Sequence, residues 1–113
     1  MKKLNGRFYF KLTDSKNLIG EFSNQDCRKN YTEGAVLKLR NHDDGKFVGE
    51  YFSTWYEESP DIAVLAELKI EQKPKCENIF SLEWRVDKKP AFWGEGMLCD
   101  GILIGNYRNS LKP

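Results

Sequence analysis

Residues 80–107 read FSLEWRVDKKPAFWGEGMLCDGILIGNY. Phe80, Leu82, Trp84 and Val86 alternate there with Ser81, Glu83 and Arg85. Successive side chains of a strand point to opposite faces, so Phe80–Val86 reads as a strand with one dry and one wet face. Asp87-Lys88-Lys89-Pro90 breaks the pattern, and Pro90, which cannot donate to a ladder, suits a loop or a strand start. Ala91–Cys99 then runs into Asp100-Gly101. Asp-Gly between two apolar runs is a strong hairpin signal, because a type I′ turn needs positive φ at both central residues. A two-residue turn fixes register: Cys99 opposes Ile102, Leu98 opposes Leu103, Gly96 opposes Gly105 and Gly94 opposes Tyr107. One face of this hairpin is then Phe92, Gly94, Gly96, Leu98, Leu103, Gly105 and Tyr107. The other is Trp93, Glu95, Met97, Cys99, Ile102, Ile104, Asn106 and Arg108. Three glycines on one face allow sharp curvature, or a large neighbour or ligand above them.

Working outward, the same alternation recurs along the chain. Arg7–Leu12 places Phe8, Phe10 and Leu12 on one side. Leu18–Asn24 does so with Leu18, Gly20 and Phe22, and Glu33–Arg40 with Ala35, Leu37 and Leu39. Lys46–Tyr56 is a long fourth strand, with Phe47, Gly49, Tyr51, Ser53 and Trp55 on one face. Ile62–Glu71 alternates over Ile62, Val64, Ala66, Leu68 and Ile70. Its Ala, Leu, Glu and Lys residues also suit a helix, but unbroken alternation favours a strand. Polar, turn-forming stretches separate these runs, including Thr13–Asn17, Asn41–Gly45 and Glu57–Asp61. About eight short strands with essentially no helix make an all-β chain. An antiparallel up-and-down β-barrel removes the edges an open sheet would expose. A β-sandwich is the alternative.

At 113 residues the chain is expected to form one domain, residues 1–113, without internal repeats or linkers. Its 18 basic and 17 acidic residues leave a net charge of +1 with no block of one sign. Neither nucleic acid nor a membrane surface is therefore expected as a partner. Met1-Lys2-Lys3 resembles the start of a signal peptide, but Leu4-Asn5-Gly6-Arg7 is not an apolar core, so secretion is not expected. Cys27, Cys76 and Cys99 are odd in number and lack a C-x-x-C pair, which fits free thiols in the cytoplasm.

Three segments resemble the avidin and streptavidin family of eight-stranded barrels. Gly49-Glu50-Tyr51-Phe52-Ser53 is similar to the family's G-x-Y-x-S/T strand, and Phe80-x-Leu82-x-Trp84 to its aromatic-x-Val-x-Trp strand. Gly6-Arg7-Phe8-Tyr9 is similar to the opening G-x-W-Y. The resemblance implies that Tyr51, Ser53 and Trp84 face the interior, where the family's counterparts touch biotin. Two departures argue against biotin itself. Phe10 stands about where the family has an asparagine for the ureido oxygen, and no aspartate follows Tyr107. An apolar pocket without such polar groups discriminates poorly. Lipocalins and fatty-acid-binding proteins share the architecture, but the chain is short for a lipocalin's closing helix or a helical lid.

Tyr51, Ser53, Trp55, Trp84 and Tyr107 are the candidate ligand-binding residues, since aromatic walls with a few hydroxyls make small-molecule pockets. The competing reading is a core filled by these same side chains, with their hydroxyls paired among themselves or to water. His42 lies in a polar turn and reads as a bystander. Asp43-Asp44-Gly45 lacks the alternating ligands of a calcium loop. Cys99 has no basic partner in sequence and reads as an inert thiol. Glu21, Glu50 and Glu95 each adjoin a glycine, but alternation puts Glu50 and Glu95 outside. No nucleophile–base pair or phosphate loop is visible, so neither catalysis nor a cofactor or metal is expected. The expected function is a non-enzymatic barrel binding a small apolar or aromatic ligand, not biotin. The alternative is a protein interaction module with a filled core, acting through its outer surface. On the outer face of the last hairpin Trp93, Met97, Cys99, Ile102 and Ile104 cluster. Such a patch predicts a homo-oligomer, dimer or tetramer, with Trp93, Met97, Ile102 and Ile104 at the interface.

Overall fold

The structure, a computed structural model, describes residues 3–27, 29–39, 47–57 and 61–109. The strands are β1 (Asn5–Leu12), β2 (Leu18–Asn24), β3 (Tyr31–Leu39), β4 (Gly49–Glu57), β5 (Ile62–Gln72), β6 (Ile79–Val86), β7 (Lys89–Cys99) and β8 (Ile102–Arg108). Each pairs antiparallel with the next, and β8 returns to β1 to close an up-and-down barrel. The closing ladder runs from Asn5 opposite Arg108 to Lys11 opposite Ile102, which rules out the open sandwich. β5 is a strand and not a helix: every residue from Ile62 to Ile70 pairs with β4. Among the described residues no helix is long and apolar enough to cross a membrane. The expected turn at Asn41–Gly45, with His42, lies outside the described residues, as do the expected strand ends at Arg40 and Lys46.

The last hairpin has the register that Asp100-Gly101 demands, including Leu98 opposite Leu103 and Gly94 opposite Tyr107. Both turn residues have positive φ, 55° at Asp100 and 79° at Gly101. The preceding connection is tighter than its sequence suggests. Val86 pairs with Lys89, so only Asp87 and Lys88 turn, at φ 53° and 65°. β7 therefore begins two residues before Ala91 and includes Pro90. The register shifts between Trp84 and Arg85, a β-bulge of the kind that accommodates proline within a ladder. β3 likewise starts two residues earlier than expected, at Tyr31.

The interior has two unlike halves. The half beneath the β1–β2, β5–β6 and β7–β8 turns is packed with apolar side chains, among them Phe10, Leu18, Phe47, Ile70, Phe80 and Leu103, all buried. Burying side chains of this size contributes roughly 1.5–3 kcal/mol each. The three glycines of the last hairpin serve this packing. A Cβ on Gly94 would meet the Trp84 ring at 3.0 Å and the Phe8 ring at 3.3 Å, so both rings lie against bare backbone. A Cβ on Gly105 would run into the Glu95 carbonyl oxygen of β7, so there the glycine lets two strands approach. The half at the opposite end, where the β2–β3, β4–β5 and β6–β7 connections and both ends of the described chain lie, is open.

Candidate ligand pocket

The pocket in the open half is walled by four rings from four strands. Phe22 of β2, Trp55 of β4, Phe92 of β7 and Tyr107 of β8 form a closed circuit, each in contact with the next. The centroid separations are 6.0, 6.1, 5.8 and 6.2 Å, and the interplanar angles 76°, 70°, 84° and 81°. Perpendicular neighbours stand as the walls of a box, an arrangement the ring quadrupoles favour. Below them Trp84 meets Tyr107 at 6.0 Å and Phe8 at 5.6 Å. Leu4 adds an apolar wall at the end of β1, where its N–H donates to Asn109 Oδ1 at 2.7 Å and ties the first strand to the last. The cavity so enclosed measures about 70 Å³, counted as the space that a water centre can occupy. One water needs about 10–15 Å³ on that measure, so the space suits a cluster of waters or a small molecule.

Four of the pocket's polar groups are Asn24, Glu33, Glu57 and the Tyr107 hydroxyl. Asn24 donates from Nδ2 to the Tyr107 oxygen at 2.9 Å and accepts the Asp26 N–H on Oδ1 at 2.9 Å. Trp55 Nε1 donates to Glu57 Oε2 at 3.1 Å. Glu33 is the exceptional group: an acidic side chain only 4% exposed. It sits on β3 opposite Gly20 and, on the other side, opposite Trp55. Ser53 Oγ donates to Glu33 Oε2 at 2.5 Å, and Trp84 Nε1, from across the barrel on β6, donates to the same oxygen at 2.7 Å. Among the described residues no donor is assigned to Oε1. Burial pushes the carboxyl up to about 7, and the bonds from Ser53 and Trp84, which favour the carboxylate, hold it from rising further. Burial likewise pushes the Tyr107 hydroxyl up to about 12, so it stays neutral at ordinary pH.

The five residues singled out from the sequence all face the interior, but they do not form one surface. Trp55, Trp84 and Tyr107 line the pocket. Ser53 is not a wall; it lies buried behind, engaged with Glu33. Tyr51 belongs to the packed half, where its hydroxyl donates to the Phe47 carbonyl at 2.8 Å and burial pushes it up to about 12. Glu33, Glu57, Asn24, Phe22 and Phe92 were not among the expected site residues. Glu33 shares its face with Ala35 and Leu37 by simple alternation, so its inward position was readable. Glu57 follows Trp55 on the same face of β4 in the same way. Among the described residues no three of His, Cys, Asp and Glu gather as a metal site would require.

On the outside Met97 pairs with Ile104, and the two are 52% and 49% exposed. Ile102 and Trp93 are half-buried, and the Trp93 indole N–H is buried without a partner among the described residues. A second apolar row, not anticipated, lies across β3, β4 and β5. Val36 pairs there with Phe52, and Leu65, 74% exposed, opposes Thr54. Comparison with family models, with curated proteins and with solved structures finds no match for this chain. The architecture is that of an eight-stranded antiparallel barrel, as in avidin-like proteins, and no homologue extends the likeness further.

Proposed function

We propose that the barrel is a non-enzymatic binding protein that takes a small, partly apolar molecule into its open half. The observation that carries this reading is the box formed by Phe22, Trp55, Phe92 and Tyr107 around a cavity inside a barrel otherwise closely packed. A mostly apolar concavity with a few convergent polar groups is how small-molecule sites are built. Native mass spectrometry of gently purified protein, joined to tryptophan fluorescence against a ligand panel, tests it. A bound small mass, or quenching that is lost in Trp55→Ala, supports the reading. An empty protein that no panel member perturbs removes it. We place the barrel near the avidin-like proteins in architecture and propose a ligand other than biotin. The three free thiols support a cytoplasmic setting.

A second reading, an interaction module, is favoured by the apolar side chains outside the barrel. For these we propose self-association through the β7–β8 face, where the exposed Met97–Ile104 pair shares a hairpin with the Trp93 indole, whose N–H has no partner among the described residues. A two-fold contact would let this patch bury its own copy.

A further inference from the structure

Two carboxylates, Glu33 and Glu57, are among the pocket's walls, and among the described residues no lysine, arginine or histidine is. An anion would be repelled there. A purely hydrocarbon ligand gives no reason for a carboxylate behind aromatic rings, since burying one is unfavourable unless something compensates its charge. A metal ion has too few donors among the described residues. The rings supply what an organic cation needs. Aromatic faces attract a cation within about 6 Å of the centroid. Neighbouring centroids lie 5.8–6.2 Å apart around the circuit, so a cation held among the four rings lies near their faces on that scale. The size fits as well, because a space of about 70 Å³ for water centres holds about five non-hydrogen atoms. We propose that the pocket selects a small organic ammonium group, about the size of trimethylammonium, whose charge sits within the aromatic box near Glu33. This rests on the reading of the barrel as a ligand binder. The ammonium supplies the positive charge that no basic wall residue provides among the described residues.

The test uses choline and its uncharged carbon isostere, 3,3-dimethyl-1-butanol, on the full chain by calorimetry and tryptophan fluorescence. Choline should bind at least about ten-fold more tightly than the alcohol at about pH 8. Glu33→Gln, checked by circular dichroism for an intact fold, should erase that preference and leave the alcohol's affinity unchanged. The wild-type protein gives a second readout that needs no variant. Choline affinity should rise between about pH 6 and about pH 8 as Glu33 ionises, while the alcohol's stays flat. Among the described residues the other titratable groups about the pocket are Glu57 of β4, Tyr107 of β8 and Cys27 beyond β2, near Tyr107. Equal affinity for both probes, or choline binding indifferent to pH and to Glu33→Gln, overturns the ammonium inference and leaves the ligand-binding reading standing. Binding of neither probe overturns it too, and the wider panel then decides whether the ligand-binding reading goes with it.

Discussion

Replacing Glu33 by glutamine should make the protein more stable at alkaline pH and change little at acid pH. The carboxyl ordinarily titrates near 4.5 and is pushed up to about 7 in the fold by burial. The folded chain therefore holds a proton on Glu33 that the unfolded chain has already released between those two values. Where the native state binds more protons, stability falls as pH rises. The stability associated with the protonated group is fully present below about pH 4.5 and is lost through about pH 7, above which the profile is flat. The gap between the two values corresponds to about 3 kcal/mol, a large fraction of the stability of a small domain. Ser53 and Trp84 both donate to Oε2, so the proton goes to Oε1 and both bonds persist in either state.

Glutamine keeps the shape and an acceptor for those two donors, and it cannot ionise. Urea titrations of wild type and Glu33→Gln across about pH 5 to about pH 8.5 give the comparison directly. The two should coincide near pH 5, and the variant should be up to about 3 kcal/mol more stable near pH 8.5. The difference between the proteins cancels whatever other groups contribute. A difference that stays flat across the range, or a variant less stable than wild type at pH 8.5, would refute the argument from burial.

Trp84→Ala should destabilise by about 3–5 kcal/mol in the same assay, since it removes a buried ring and one of the two donors to Glu33. A loss below about 1 kcal/mol would show that Trp84 is not core. Gly105→Ala should lose about 3 kcal/mol or more, because its Cβ would run into the β7 backbone, which cannot move aside as a side chain can. An unchanged denaturation midpoint would contradict that packing. Ile104→Arg should convert the proposed homo-oligomer to monomer in sedimentation at micromolar concentration, and a monomeric wild type removes the assembly proposal. Biotin should bind weakly or not at all; a sub-nanomolar dissociation constant would show that Phe10 and the missing late aspartate had been misjudged.

The strands and the register of the last hairpin were legible because each follows from a local rule, whereas the closing β1–β8 ladder decided between barrel and sandwich. Alternation identifies a strand and its inner face, and Asp100-Gly101 sets pairing through φ alone. The tight turn at Asp87-Lys88 was not legible. It needs positive φ at two residues that carry side chains, and no glycine announces it. Pro90 suggested a loop, yet a bulge at Ala91 of β7 accommodates it within the ladder. The site was legible in part. Trp55, Trp84 and Tyr107 follow from alternation. Which inward residues meet depends on height along the barrel, however, and this sorts Tyr51 into the packed half. Asn24, Phe92 and Glu57 sit near strand ends, where boundaries are least certain from sequence.

The division of the barrel into a packed and an open half has a physical meaning beyond geometry. Eight strands enclose a space that side chains alone can fill, and the lower half does so with phenylalanine, leucine and isoleucine. The same solution was open to the upper half. Position 33 lies on the inner face with Ala35 and Leu37, and an apolar residue there would have continued the core without a desolvation penalty. The chain instead places a carboxylate opposite Gly20, holds it with Ser53 and with an indole from the far wall, and surrounds the space beside it with perpendicular rings. These choices oppose stability at neutral pH, as the raised carboxyl shows. Residues that weaken a core while converging on one cavity are more economically explained by what the cavity holds than by folding. For that reason the alkaline stability of Glu33→Gln and its loss of ammonium selectivity belong together: the substitution that relieves the fold is the one that should remove the preference for charge.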